Sequence, residues 1–156
     1  MSFCWAARVY WEDTDGGGVV YYANYLRFLE RARTEWLRAQ GLSQRALAEE
    51  RGIVFTVTSI EVSYRKPARL DDELLVTCEP ARAGGASLQF AQRIYRRAGA
   101  AAPPPSGAPA EPAGMPQGGE PGELVATAEV RVACVDTRTL RPQRLPDFVV
   151  DILTTP

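Results

Sequence analysis

RVYWEDTDGGGVVYYANYLRFLERARTEWLR, residues 8–38, is the stretch on which the fold turns. In its second half Tyr25, Phe28, Leu29, Ala32, Trp36 and Leu37 recur at helical spacing and form one apolar face. Arg27, Glu30, Arg31, Arg33, Glu35 and Arg38 fill much of the remaining surface. This predicts a helix from about Tyr22 to Gln40, stopped by Gly41. Its first half holds three consecutive glycines, Gly16 to Gly18, which suit neither a helix nor a strand interior. They predict a loop with unusual backbone demands, running straight into the helix.

On either side the pattern is that of strands. FCWAARVYWE, residues 3–12, is aromatic and β-branched and reads as one strand. A short helix follows the long one, from Ser43 as N-cap to Arg51, ending at Gly52. IVFTVTSIEVSYR, residues 53–65, sets Val57, Ser59, Glu61 and Ser63 against Thr58, Ile60, Val62 and Tyr64, a long strand. Further strands are expected from about Glu73 to Ala83, Ser87 to Arg97 and Glu123 to Asp136, with Gly84-Gly85 as a hairpin turn. The tail carries a short apolar run, FVVDIL (148–153), suited to capping the core. Residues 99–123 break the pattern, with seven of the chain's 12 prolines and six of its 13 glycines. This stretch reads as a disordered or poorly ordered insertion in a hairpin, a low-cost lengthening because closure entropy grows only logarithmically. The plan is α+β: one domain over residues 1–156, with a mostly antiparallel sheet of about five strands curled over one amphipathic helix.

Composition narrows the function. At 156 residues the chain supports one core that buries roughly two-thirds of its unfolded surface. A net charge of −1 argues against broad nucleic-acid binding. The chain has no His, which removes imidazole nucleophile systems, His-ligated zinc and His general bases. Cys4, Cys78 and Cys134 are far apart and form no CxxC pair, so they read as small buried groups in a reducing cytoplasm, and no metal site is expected. Neither a signal peptide nor a membrane span is legible, and a soluble cytoplasmic protein is expected.

The chemistry concentrates around Tyr10, Glu12, Asp13, Asp15, Gly16, Gly17, Gly18 and Tyr22. A glycine-rich turn entering a helix exposes unpaired N–H groups, and the helix dipole adds about half a positive charge there. Such a corner stabilises an oxyanion. Asp15 beside it suits acyl transfer, as a nucleophile or as a base toward water, and would repel a phosphate. The plainer alternative is a solvated acidic turn in which Asp13 or Asp15 caps the helix.

Residues 8–38, together with YRKPARLDDEL (64–74), closely resemble the YbgC-like branch of the 4-hydroxybenzoyl-CoA thioesterase family. The resemblance covers roughly residues 1–98 and 123–150. It implies the hotdog fold, hydrolysis of acyl-CoA thioesters, a homodimer or homotetramer, and no cofactor. Carried over by position, Asp15 matches the catalytic aspartate and the Tyr22 backbone N–H matches the oxyanion donor. Gly17 and Gly18 match the active-site glycines, and Tyr10 and Asp13 match polar positions around the substrate. This chain reads VVYYANY, with Tyr22 where relatives often carry His; tyrosine supplies a hydroxyl but no base of similar pKa.

Other residues compete for roles. Glu30 and Glu35 lie on the central helix, where a different hotdog branch keeps a catalytic Glu, and an ion pair with a nearby Arg is the alternative. Arg65, Lys66 and Arg69 suit contact with coenzyme A phosphates, or form an exposed strand end neutralised by Asp71 and Asp72. Trp5, Trp11, Tyr21, Tyr22 and Tyr25 suit an acyl pocket, or the core and a subunit contact. Acyl carrier protein is the alternative to coenzyme A as carrier. The alternative to an enzyme is a hotdog module that docks acyl carrier protein or an envelope complex, with weak hydrolysis. Hotdog dehydratases usually employ a His, which this chain lacks.

Overall fold

The computed structural model describes residues 3–97 and 122–155. Residues 98–121, which hold most of the Pro/Gly/Ala-rich insertion at 99–123, lie outside the described residues. Five antiparallel strands form one sheet in the order β1-β3-β4-β5-β2, comprising β1 (Phe3–Arg8), β2 (Ile53–Tyr64), β3 (Glu73–Gly84), β4 (Ser87–Arg96) and β5 (Glu123–Asp136). Helix α1 (Tyr25–Ala39) lies on its concave face, closest to β1 and β3. Its buried side chains are the six that the helical spacing picks out, Tyr25, Phe28, Leu29, Ala32, Trp36 and Leu37. They meet inward-facing residues such as Leu74, Val76, Ile94 and Val130 in one core, where Trp36 and Phe90 pack edge to face at 5.4 Å. A curled sheet around one helix is the α+β hotdog arrangement that the sequence implies.

Local boundaries differ for identifiable reasons. The first strand ends at Arg8 rather than Glu12, because the Asp13 carboxylate accepts the Tyr10 N–H at 2.8 Å and folds Trp11–Asp13 into a 3-10 turn. The helix begins not at Tyr22 but at Tyr25, after a 3-10 turn over Tyr22–Asn24. Its end is a Schellman motif: Gly41, at φ +80°, donates to Arg38 O and Leu42 donates to Leu37 O. Ser43 then caps α2 (Gln44–Ala46), which continues through a π-type turn to Gly52 in the left-handed region. Gly84 still pairs with Ser87, so the β3–β4 turn falls one residue later than expected, on Gly85-Ala86, with Gly85 at φ +59°.

Among the described residues β2 is an edge strand that pairs only with β5. A bulge at Thr58 shifts its register. Val57 therefore lies opposite Val132, on the face shared with Phe55, Ile60, Val62 and Tyr64, and not with Ser59, Glu61 and Ser63 as simple alternation predicts. Helix α3 (Asp147–Thr154) sets Val149 into the core and is the cap expected of the tail. Cys78 and Cys134 are buried and Cys4 is half-buried, all as free thiols.

Candidate active site

The glycine loop is a small ribbon stitched on both sides. Asp15 N–H donates to Val19 O at 3.0 Å, and Thr14 bridges Val20. Across the ribbon, Val20 N–H donates to Ala68 O and Leu70 N–H to Gly18 O, while Val19 bridges Arg69. Gly16 and Gly18 both sit at φ +85°, where a side chain is strained. Gly17 N–H donates to Asp15 Oδ1 at 2.7 Å, so one oxygen of this exposed carboxylate is anchored by its own loop. Its other oxygen makes no hydrogen bond among the described residues.

A second set of contacts shapes the corner where the loop enters α1. Asp13 is only 6% exposed. Its carboxylate faces the Tyr10 backbone, and its carbonyl accepts from Tyr21 N–H at 3.0 Å and Asn24 Nδ2 at 2.9 Å. Asp13 is thus turned inward and holds the corner, whereas the resemblance sets it among the polar positions around substrate. Tyr21 N–H is used by Asp13 and Asn24 N–H by Tyr21, whereas the N–H groups of Tyr22 and Ala23 open the 3-10 turn and have no partner within it. The Tyr64 hydroxyl donates to Tyr22 O at 2.9 Å, joining the corner to the end of β2. Tyr10, Trp11, Tyr21 and Tyr22 are all exposed around it. Tyr25, by contrast, is core: its hydroxyl accepts the Ala68 N–H at 3.0 Å.

The three basic candidates do not converge equally. Arg69 lies against the glycine loop, its backbone bridged to Val19 and its N–H donating to Asp72 Oδ2. Lys66 is 4.0 Å from Glu123, and Arg65 is exposed just past β2. Arg96, which the sequence did not single out, organises this segment together with Asp72. Arg96 donates to Asp72 Oδ2 and Glu123 Oε2, each at 2.8 Å, and to Pro67 O. Asp72 accepts from both Arg96 and the Arg69 backbone. The signal for the pair was faint, because Arg96, at the end of β4, and Asp72, just before β3, are 24 residues apart. Glu30 accepts from the Thr34 hydroxyl at 2.7 Å rather than pairing with an arginine, and Glu35 is the one paired, with Arg38. Among the described residues no group of three His, Cys, Asp or Glu is placed to hold a metal.

A carboxylate anchored on a glycine ribbon and, at a helix entrance, a pair of amides without a partner among the described residues are the parts an acyl transfer needs. The thioesterase-like superfamily matches residues 9–153 of this chain. The acyl-CoA thioester hydrolase YbgC of Escherichia coli is 42% identical over 148 residues, which cover 95% of this chain and 92% of that protein. The acyl-CoA thioesterase YbgC of Haemophilus influenzae is 38% identical over 95% of this chain and 91% of its own. The crystal structure of a probable thioesterase from Bartonella henselae superposes with a TM-score of 0.75 at 30% identity, covering 94% of this chain and all of that one. That of a 1,4-dihydroxy-2-naphthoyl-CoA thioesterase from Synechocystis shares the fold, with a TM-score of 0.77 at 20% identity over 98% and 96% of the two chains. By the length of these matches and by its fold, the chain belongs to the thioesterase-like superfamily, in the YbgC-like branch.

Proposed function

We propose that this thioester hydrolase cleaves acyl-CoA, with Asp15 acting on the thioester carbonyl and the Tyr22 N–H receiving the oxyanion. The observation that carries the reading is the Asp15 carboxylate, anchored by Gly17 N–H on a ribbon that leads directly into the free amides of Tyr22 and Ala23. The carbonyl oxygen takes its developing charge to that corner, where the helix dipole adds to the amides. Asp15 either attacks the carbonyl carbon, expelling the thiolate and leaving a mixed anhydride that water then opens, or takes a proton from the attacking water. Trapping of an acylated Asp15 during turnover separates the two, because only the nucleophilic route forms a bond between Asp15 and the acyl group. Arg69, beside the loop, and Arg65 and Lys66 at the end of β2 meet the phosphates of coenzyme A. The chain works as one domain, with the Pro/Gly/Ala-rich stretch inserted between β4 and β5.

The test is free-thiol release from a panel of acyl-CoAs. Asp15→Asn keeps the shape and removes the charge, and kcat should fall by at least about 10²-fold, the scale of losing one oxyanion donor. An Asn variant within a few-fold of wild type would remove Asp15 from the chemistry.

The free edge of β2 supports a homodimer. Twelve residues of open strand edge are a liability in a monomer, and pairing with a second copy covers them. Light scattering should give at least twice the 17.1 kDa chain mass, and a monomer at micromolar concentration would reject edge pairing.

A further inference from the structure

The two amides at the entrance of α1 share a feature on their far side. The Tyr22 N–H belongs to the peptide whose oxygen is Tyr21 O, and that oxygen accepts the Asn24 N–H at 2.8 Å. The Ala23 N–H belongs to the peptide whose oxygen is Tyr22 O, and that oxygen accepts the Tyr64 hydroxyl at 2.9 Å. Neither N–H has a partner among the described residues. In a trans peptide the N–H and C=O point in opposite directions, so a donor on the oxygen leaves the N–H clear. Linked hydrogen bonds also polarise one another, by about 10–30% per bond. A donor on the peptide oxygen draws charge from the nitrogen and makes its N–H the stronger donor. The first of these bonds is made by backbone inside the turn. The second comes from a side chain 42 residues away.

Tyr64 is fixed independently of that bond. It is the last residue of β2, opposite Ala126 of β5. The chain just beyond it is pinned, because Arg65 N–H and Lys66 N–H both donate to Val125 O, at 2.8 and 3.1 Å. Its ring packs edge to face on Tyr25 at 5.3 Å, and Tyr25 is core. The hydroxyl therefore sits in place before a substrate arrives, so it can support developing charge without reorganisation. Tyr64 and Tyr22 are both exposed, so removing the hydroxyl strands no buried group.

We infer that Tyr64 is a positioning residue for thioester cleavage: through the Tyr22 carbonyl it holds and polarises the Ala23 N–H as a second donor to the oxyanion, beside the Tyr22 N–H. The inference rests on the thioesterase reading above. As the attacking oxygen bonds to the carbonyl carbon, the C=O π pair moves onto the substrate oxygen. It returns when the C–S bond breaks and the thiolate leaves. The substrate oxygen carries far more charge in between than in the bound thioester, so a stronger donor acts on kcat and little on KM. A tyrosine that only packed the helix entrance would act through its ring, and one that only gripped substrate would act on KM.

The test is Tyr64→Phe in the full chain, assayed with whichever of butyryl-, octanoyl- and palmitoyl-CoA the wild type turns over fastest. Loss of an oxyanion donor outright costs about 10²–10³-fold, and a weakened, looser donor should cost kcat at least about fivefold. KM should stay within about twofold, with Tm unchanged. The Kd of free coenzyme A, which lacks the acyl carbonyl, should be the same for both proteins. A Phe variant with wild-type kcat, or one whose KM or coenzyme A Kd rises while kcat holds, would overturn the assignment and leave the thioesterase reading standing. A kcat loss matched by a fall in Tm would also overturn it, by making the bond a structural one. A folded wild type that turns over none of the three thioesters would remove the thioesterase reading as well.

Discussion

Gly17 is a glycine for a different reason from its two neighbours. Gly16 and Gly18 need positive φ, whereas a Cβ on Gly17 would meet Asp15 Oδ1 at 3.0 Å. The close approach exists because Gly17 N–H holds that oxygen. Gly17→Ala therefore strains no backbone but must push the carboxylate. An active-site displacement approaching 1 Å can lower a rate by about 10²-fold. The variant should lose at least tenfold in kcat with an unchanged Tm; full activity would show that the anchored position of Asp15 is unimportant. The glycine loop and its run into the helix were legible in the sequence, because three consecutive glycines suit neither a helix nor a strand interior. The inward turn of Asp13 was not, because it depends on Tyr10, Tyr21 and Asn24 meeting across the chain.

Among the elements, the helix face was the most legible, because its spacing depends on α1 alone. The start of α1 and the face of Val57 depend on partners. Asp13 folds the approach to the helix, and the Thr58 bulge is defined only by pairing with β5. The same dependence makes Tyr25 a joint between elements. Its hydroxyl accepts the buried Ala68 N–H, and Ala68 O in turn accepts Val20 N–H from the glycine ribbon. The ring also packs edge to face on Tyr64 at 5.3 Å. Tyr25→Phe keeps the ring and strands a buried donor, which costs about 1–3 kcal/mol. Urea unfolding should show a loss in that range, with a fall in kcat as the ribbon loosens. A change under about 0.5 kcal/mol would mean that the Ala68 N–H finds another acceptor.

For the molecule as a whole, buried thiols and phenols make alkaline pH the weak side. Burial pushes the Cys78 thiol from its ordinary 9.0 up to about 12, against the opposing pull of nearby Arg33. Burial also raises Cys134, Cys4, Tyr25 and Tyr64. Each of these groups is neutral when protonated, so the fold favours the protonated form more than the unfolded chain does. For Cys78 the stabilisation is full below pH 9.0 and is lost progressively as pH rises toward about 12. Asp136 acts in the opposite sense, since the N–H groups of Thr139 and then Arg138 hold its carboxyl below the ordinary range. Its contribution is present at neutral pH and is lost on acidification, but it sits in one exposed turn. The unfolding free energy should therefore hold steady from pH 7 to about 9 and then fall. Cys78→Ala should be less stable at pH 7, from the small cavity it leaves, and should show a shallower alkaline fall. Parallel alkaline limbs for wild type and variant would assign the sensitivity to the other raised groups and remove Cys78 as its main source.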